Sequence, residues 1–480
     1  MTSTMKSPSH QTVFLRYRWD VLVLILLLPL IAINFNGFHD AGDDFAQYLL
    51  QAKWLTGNQQ AWYPDHTGNY SPGIKGWLFS VLLIPATWCS HPTDILVSKF
   101  MVTVFLILTG WVFFRILYNF LPALAAIGCT LFLVYNPMML DLKNQILPDI
   151  PMMATFLLAF YLLFFQKSTT IVLTISIVVI WLSTGLKTPG LLLLVPVIGW
   201  AATTTFPGRF KFLFASLAGM LLILVIEFIL GKASNGPVWY LQQTVDAINP
   251  DILLMNVTTY FQSLQLIPQL ELPMWINKAI WILLCIGWLM GVVWSFFPET
   301  GSHRNLKSKY FERFILLFQL CLILMLLVYP YKGDPVRMLL PIFPFFLITT
   351  FKGFTASLER LNFPNQKTIV VLAGMLLPVL MIPSMLKLQT KNQEARKAAT
   401  ANLNMAQFLK SATEPNERLK SNKPWAVQYY TKRITMPLSD SQVFDWIVIL
   451  RSDHSKDQGN ISNNRIAYQN DFWMVYNAKP

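Results

Sequence analysis

The chain has 480 residues, of which 54% are apolar and only 13% charged, whereas a soluble globular protein carries about 25% charge. With a mean hydropathy of +0.47, so little charge cannot cover a water-soluble globule, and the same numbers exclude disorder, a collagen-like fibre and a disulfide scaffold. The net charge of +13, from 37 Lys and Arg against 24 Asp and Glu, does not indicate nucleic acid. No basic block is dense, and membrane proteins gather basic residues in cytoplasmic loops and near lipid phosphates. At about 20 residues per crossing, the apolar fraction supplies about eleven helices, so a mainly α, polytopic transmembrane bundle is expected.

In chain order, Arg16 and Arg18 precede an apolar run from Val21 to Phe35 with no small-residue cleavage site after it, which reads as an uncleaved first span with a cytoplasmic N-terminus. Further spans are expected near 96–118, 121–138, 150–166, 170–186, 189–205, 212–230, 276–297, 314–329, 338–351 and 368–386. The shorter stretch from Trp77 to Trp88 decides the parity of every later loop. Read as an interfacial helix, it leaves Arg115, Lys167, Arg209, Lys211, Arg304, Lys307, Lys309, Arg313, Lys352, Arg360 and Lys367 in the cytoplasm, as the positive-inside rule requires. Segments 36–95, 231–275 and the tail after 386 then lie outside. The chain divides into a transmembrane domain, 1–386, and an exterior α/β domain, 387–480. The latter has a helical stretch from Lys391 to Lys410 and β-rich runs at Trp425–Tyr430, Trp446–Leu450 and Phe472–Tyr476. The cysteines Cys89, Cys129, Cys285 and Cys321 have neither metal-ligand nor CxxC spacing and read as small core residues. The Asn-x-Ser/Thr sequons at Asn69, Asn256 and Asn460 are at the level of chance.

Charge is costly near lipid, so its placement is informative. Directly after the first span come Asp40, Asp43 and Asp44, followed by Phe45, Tyr48, Leu49, Ala52 and Leu55 at helical spacing. This is an amphipathic helix at the outer surface with acids at its N-terminus. One acid is a helix cap; three within five residues exceed that need. Asp149, in Pro148-Asp149-Ile150-Pro151, opens a later span on the same side, where capping is again the plain alternative. Two such carboxylates suit proton abstraction, one as base and one orienting a hydroxyl or a metal. Lys187 and Arg337 lie at outer helix ends, where they either snorkel to headgroups or neutralise a lipid-linked phosphate. Glu227 lies inside an apolar run and must be protonated, paired or close to the outer end.

These motifs resemble those of the GT-C membrane glycosyltransferases, which include the aminoarabinose transferase and protein O-mannosyltransferase relatives. Asp44-Phe45-Ala46-Gln47-Tyr48, then Ala52, Leu55 and Gly57, is similar to their Asp-x-x-x-Tyr-x-x-x-Ala-x-x-Leu-x-x-Gly first loop. Tyr70-Ser71-Pro72-Gly73-Ile74-Lys75-Gly76 resembles their Tyr/Pro-Pro-Gly segment, and Pro148-Asp149-Ile150-Pro151 their second-loop acid. Leu186-Lys187-Thr188-Pro189-Gly190 resembles their Thr-Lys/Arg-x-x-Gly element, and Arg337 to Pro344 their Arg-Tyr-Leu-Leu-Pro-x-x-Pro helix start. The resemblance runs in order over residues 15–350.

It implies an inverting transferase that uses a polyprenyl-phosphate-linked sugar at the outer face of a bacterial inner membrane, with a glycan, lipid or protein hydroxyl as acceptor. By the resemblance Asp44 is the catalytic acid, Asp43 its one-residue alternative, and Asp149 orients the acceptor or helps hold a divalent cation (Mg2+ or Mn2+). Lys187 and Arg337, with Lys75 and Lys332, bind the donor phosphate, and Tyr48 and Tyr70 contact substrate. Helices 44–56 and 77–88 form a roof over the lipid. The competing class is a multi-span transporter, which calls for internal repeats and interrupted helices around a midplane site. A scaffold that binds partners through the exterior domain is a third reading.

Overall fold

The computed structural model describes residues 10–33, 35–39, 43–57, 76–233, 250–264, 272–297, 306–328, 335–414, 417–438, 444–451 and 465–478. A helix stands at each expected span position. Among the described residues, six helices are long and apolar enough to cross a membrane: Thr93–Leu117, Arg209–Leu230, Met274–Phe296, Tyr310–Leu327, Arg337–Arg360 and Gln366–Lys387. A seventh is the bent pair Ala123–Val134 and Pro137–Asn144, whose axes differ by 50°. The helices Asp149–Phe165, Thr170–Leu186 and Thr188–Thr203 are apolar but shorter.

Local chemistry accounts for the breaks. The expected run 121–138 ends where the Asn136 side chain accepts from the Met138 amide and Pro137 starts a new helix, the usual pairing of an Asn cap with proline in the first turn. The stretch 77–88 is two short helices, Trp77–Leu82 and Ile84–Thr87, with Pro85 in the first turn of the second. Two kinds of contact bind the bundle. Gly128 lies against Gly374, where an added Cβ would stand 2.1 Å from the Gly374 carbonyl, so two helix backbones meet as small residues allow. A buried charge pair ties the first helix to two others. Arg115 Nη1 lies 3.0 Å from Asp20 Oδ2, Trp111 Nε1 donates to Asp20 Oδ1, and Arg115 Nε donates to the Tyr161 hydroxyl. Large apolar side chains such as Leu221, Leu283, Leu320 and Leu372 point outward, the surface a bilayer requires.

The C-terminal part is a five-stranded sheet in the order β2-β1-β3-β5-β4. Its strands are β1 (Leu419–Ser421), β2 (Thr435–Pro437), β3 (Trp446–Leu450), β4 (Arg465–Gln469) and β5 (Trp473–Asn477). β1 is parallel to β2 and β3, and β5 is antiparallel to β3 and β4. Met405, Leu409, Leu419, Val448, Trp473 and Val475 form its core. The helix Ile382–Ala412 runs without a break from the membrane-type bundle into this sheet, across the boundary expected at 386.

One expectation fails here. Trp425–Tyr430 is not a strand but part of the helix Pro424–Thr431, every residue of which is buried. Its aromatic and β-branched composition favours strand, but burial on all sides removes the need for alternation. The Asn256 sequon agrees with the reading of chance: the residue is buried, and its amide donates to the Leu327 carbonyl. Asn69 and Asn460 lie outside the described residues.

Candidate active site

Four side chains from four separate segments converge. Asp149 is the first residue of the helix Asp149–Phe165 and is fully buried. Its Oδ1 accepts from Lys187 Nζ at 2.7 Å and its Oδ2 from Arg337 Nε at 3.0 Å. Arg337 Nη1 reaches on to Asp44 Oδ2 at 2.8 Å. Asp44 is the open end of this chain of contacts, with its side chain 56% exposed against 1% for Asp149. Both oxygens of Asp149 accept from cations, so capping is not what this residue does; a buried carboxylate demands such partners. Two carboxylates and two cations give the cluster a formal charge of zero.

Each position follows from local sequence. Lys187 ends the helix Thr170–Leu186 in an extended conformation, φ −165° and ψ 144°, before the tight 3-10 turn Thr188–Leu193. Pro189 cannot continue the preceding helix, and the Gly190 amide closes the turn on the Lys187 carbonyl. Gly76 braces this turn from the other side. Its φ is +54°, which disfavours other residues, and a Cβ there would stand 2.5 Å from the Leu186 carbonyl, so glycine is required by the close approach. Arg337 lies in the short helix Pro335–Leu339, from which a 3-10 turn leads into Phe343–Arg360. Asp44 is the second residue of the helix Asp43–Leu55. Its neighbour Phe45 is buried, stacked on His39 at 3.7 Å and edge-on to Tyr429 at 5.4 Å. The sheet domain thus covers one face of this helix.

Of the other expected residues, Tyr48 is buried with its ring edge-on to Phe79 at 5.0 Å. Asp43 opens the same helix as Asp44; Lys75, Lys332 and Tyr70 lie outside the described residues. Glu227 lies one turn beyond Ile223, which abuts Gly185, and among the described residues no cation pairs with it. Two buried lysines escaped the sequence reading. Lys143 donates to the Leu30 and Ile33 carbonyls, and Lys99 to the Phe38 carbonyl and Asn36 Oδ1. They fix the chain between the first helix and Asp44. A lysine in so apolar a stretch was the signal that could have found them. Asp149 accepts from cations with both oxygens and Asp44 with one, and among the described residues no group of three His, Cys, Asp or Glu gathers.

No family model and no curated protein matches the sequence. The fold, however, is found in solved structures. ArnT from Cupriavidus metallidurans bound to undecaprenyl phosphate superposes with a TM-score of 0.60 at 10% identity, covering 96% of this chain and 98% of that one. Apo ArnT gives 0.58 at 11% identity, covering 97% and 98%. The archaeal oligosaccharyltransferase AglB from Archaeoglobus fulgidus, in complex with an inhibitory peptide and a dolichol-phosphate, gives 0.53 at 11% identity, covering 92% and 70%. The likeness to these solved structures is one of fold, and with ArnT it extends over nearly the whole of both chains.

Proposed function

We propose that this protein is an integral membrane glycosyltransferase that moves a sugar from a polyprenyl-phosphate donor to an acceptor hydroxyl at the outer membrane face, with inversion at C1. The observation that carries this reading is the continuous contact Asp44–Arg337–Asp149–Lys187, which joins one open carboxylate to two cations. The shared fold with ArnT bound to undecaprenyl phosphate supports the donor class. The crossing pattern is about eleven spans, with the short apolar helices and the bent pair included, the N-terminus cytoplasmic and the sheet domain outside.

In the resting cluster Arg337 holds Asp44, so one oxygen of the base is engaged before substrate arrives. A donor phosphate competes for the same guanidinium and for Lys187; both then divide their donors between Asp149 and the phosphate. Arg337 serves by its directed fork and Lys187 as a point charge. Asp44, released, takes the proton of the acceptor hydroxyl as that oxygen attacks C1. The C1–O bond to phosphate breaks, and the departing polyprenyl phosphate keeps the electron pair, stabilised by the two cations as its charge grows. Donor binding therefore precedes activation of the base. Asp149 keeps both cations in register. Each of these steps is carried by side chains of this chain alone.

The test is transfer of sugar from a synthetic polyprenyl-phosphate donor by the purified full-length protein, with the lipid that copurifies identified by mass spectrometry. Hydroxyl acceptors should be glycosylated with the opposite anomeric configuration to the donor. Retention of configuration would remove the single-displacement mechanism, and movement of intact donor across the bilayer without transfer would favour a transporter.

A further inference from the structure

A second concentration of positive charge lies away from this cluster, on the ring of Tyr429. This residue belongs to the sheet-domain helix Pro424–Thr431 and is buried. Its hydroxyl donates to Asp94 Oδ2 at 2.5 Å and lies 3.4 Å from His91 Nδ1. The phenol is thereby anchored, and its ring forms a fixed plate where the sheet domain meets the first outer helix. Lys53 Nζ, from the helix Asp43–Leu55, lies 5.3 Å from the ring centroid, and Lys432 Nζ, from the sheet domain, lies 4.6 Å from it.

Neither lysine has a carboxylate within ion-pair distance among the described residues. Asp94 is the nearby acid, and it is buried and committed to Tyr429 and His91. Lys410 adds a third positive charge to the neighbourhood. A ring quadrupole attracts each cation weakly but does not cancel their mutual repulsion. Desolvation at the junction and the Lys53 ammonium hold Lys432 below the usual lysine range, at about 8, and outweigh the opposing pull of the Asp94 carboxylate. Lys432 as a residue stands at the exposed edge of this junction. Lys53 lies about 13 Å along its helix from Asp44 and about half a turn around it, so the two groups of charges face different ways.

We propose that Lys53 and Lys432, seated on Tyr429, form a binding site for a phosphate group between the membrane-type bundle and the sheet domain. A phosphate presents several oxygens at once, so two ammonium groups from different segments can each take one. The same chemistry comes from a phospholipid headgroup or from free phosphate. Because the two lysines come from the two parts of the chain, occupancy ties the sheet domain to the helix that carries Asp44. The site does not depend on the transferase reading.

Inorganic phosphate is titrated into the full-length protein in phosphatidylcholine nanodiscs, and thermal unfolding is followed for wild type, Lys53→Gln, Lys432→Gln and the exposed control Lys167→Gln. Wild type and control should gain stability saturably, and each site variant should bind phosphate at least tenfold more weakly. Without phosphate the two site variants should unfold no earlier than wild type, since they relieve a repulsion. Lys187→Gln reports on the other cluster and should retain this response. In nanodiscs enriched in phosphatidylglycerol, loss of the free-phosphate response in wild type assigns the site to a lipid headgroup, and its persistence assigns it to free phosphate. An undiminished response in Lys53→Gln and Lys432→Gln, or one abolished by Lys187→Gln alone, overturns the proposal, as does early unfolding of both site variants without phosphate.

Discussion

Asp44 and Asp149 touch the same guanidinium, yet neutralising them should have opposite consequences. In Asp149→Asn the volume is kept, but a fully buried charge disappears from between Lys187 and Arg337, whose side chains are 18% and 12% exposed. Breaking a buried pair by removing one partner costs about 3–5 kcal/mol, because the remaining charge is left unpaired. In Asp44→Asn the lost partner is 56% exposed, and such a surface pair contributes only about 0–1 kcal/mol. Asp149→Asn should therefore unfold well before wild type, while Asp44→Asn unfolds with it and loses about 10²–10⁴-fold in transfer rate. A thiol-reactive dye that reports exposure of the buried Cys129 follows unfolding in detergent, and sugar transfer is measured on the same samples. Polyprenyl phosphate supplies the missing negative charge, so it should stabilise Asp149→Asn more than wild type, by mass action on the folded state. Equal unfolding of both variants, or equal stabilisation of Asp149→Asn and wild type by the lipid, would refute the reasoning that Asp149 balances a pair of phosphate-binding cations.

Arg337→Gln and Lys187→Gln should each weaken the use of donor by about 10–150-fold, the worth of one charge-assisted bond of about 1.5–3 kcal/mol, and the double variant should lose less than the product. Strictly multiplicative losses would mean that they do not share one phosphate. Gly76→Ala should lower both stability and transfer rate, because the new Cβ meets the Leu186 carbonyl beside Lys187; an unimpaired enzyme would show that this brace is not needed. Cysteine labelling should reach Ser302→Cys from the cytoplasm and Asn460→Cys from outside, and labelling of Asn460→Cys only from the cytoplasm would invert the topology. Raising the pH through about 8 discharges Lys432 in the fold while the unfolded lysine, near 10.4, keeps its proton. The unfolded chain then binds more protons, so stability should rise with pH from about 8 to about 10.4 and phosphate affinity should fall. Lys432→Gln should flatten both trends in unfolding and titration curves.

Much of this protein was legible in one dimension because lipid imposes a one-dimensional rule. A chain segment that crosses a bilayer must satisfy its backbone internally and show apolar side chains outward, so runs such as 276–297 and 212–230 mark helices without knowledge of their neighbours. The strand Trp446–Leu450 was equally plain, as a short β-branched and aromatic run between turns. Asn136-Pro137 carried its own break. Sequence also supplied the residues of the cluster, since acids and bases at the ends of apolar runs are costly and therefore few. It could not supply their pairing. Asp44 and Arg337 are separated by 293 positions and Asp149 and Arg337 by 188, and only the way the helices pack decides that one guanidinium serves both acids. The same holds for Trp425–Tyr430, where local composition favoured a strand and burial on every side made a helix. It holds too for Lys53 and Lys432, unremarkable lysines until two distant segments meet on the ring of Tyr429. Hydropathy is a property of a segment, whereas a site is a property of contacts between segments, and those are fixed by the packing of the whole chain.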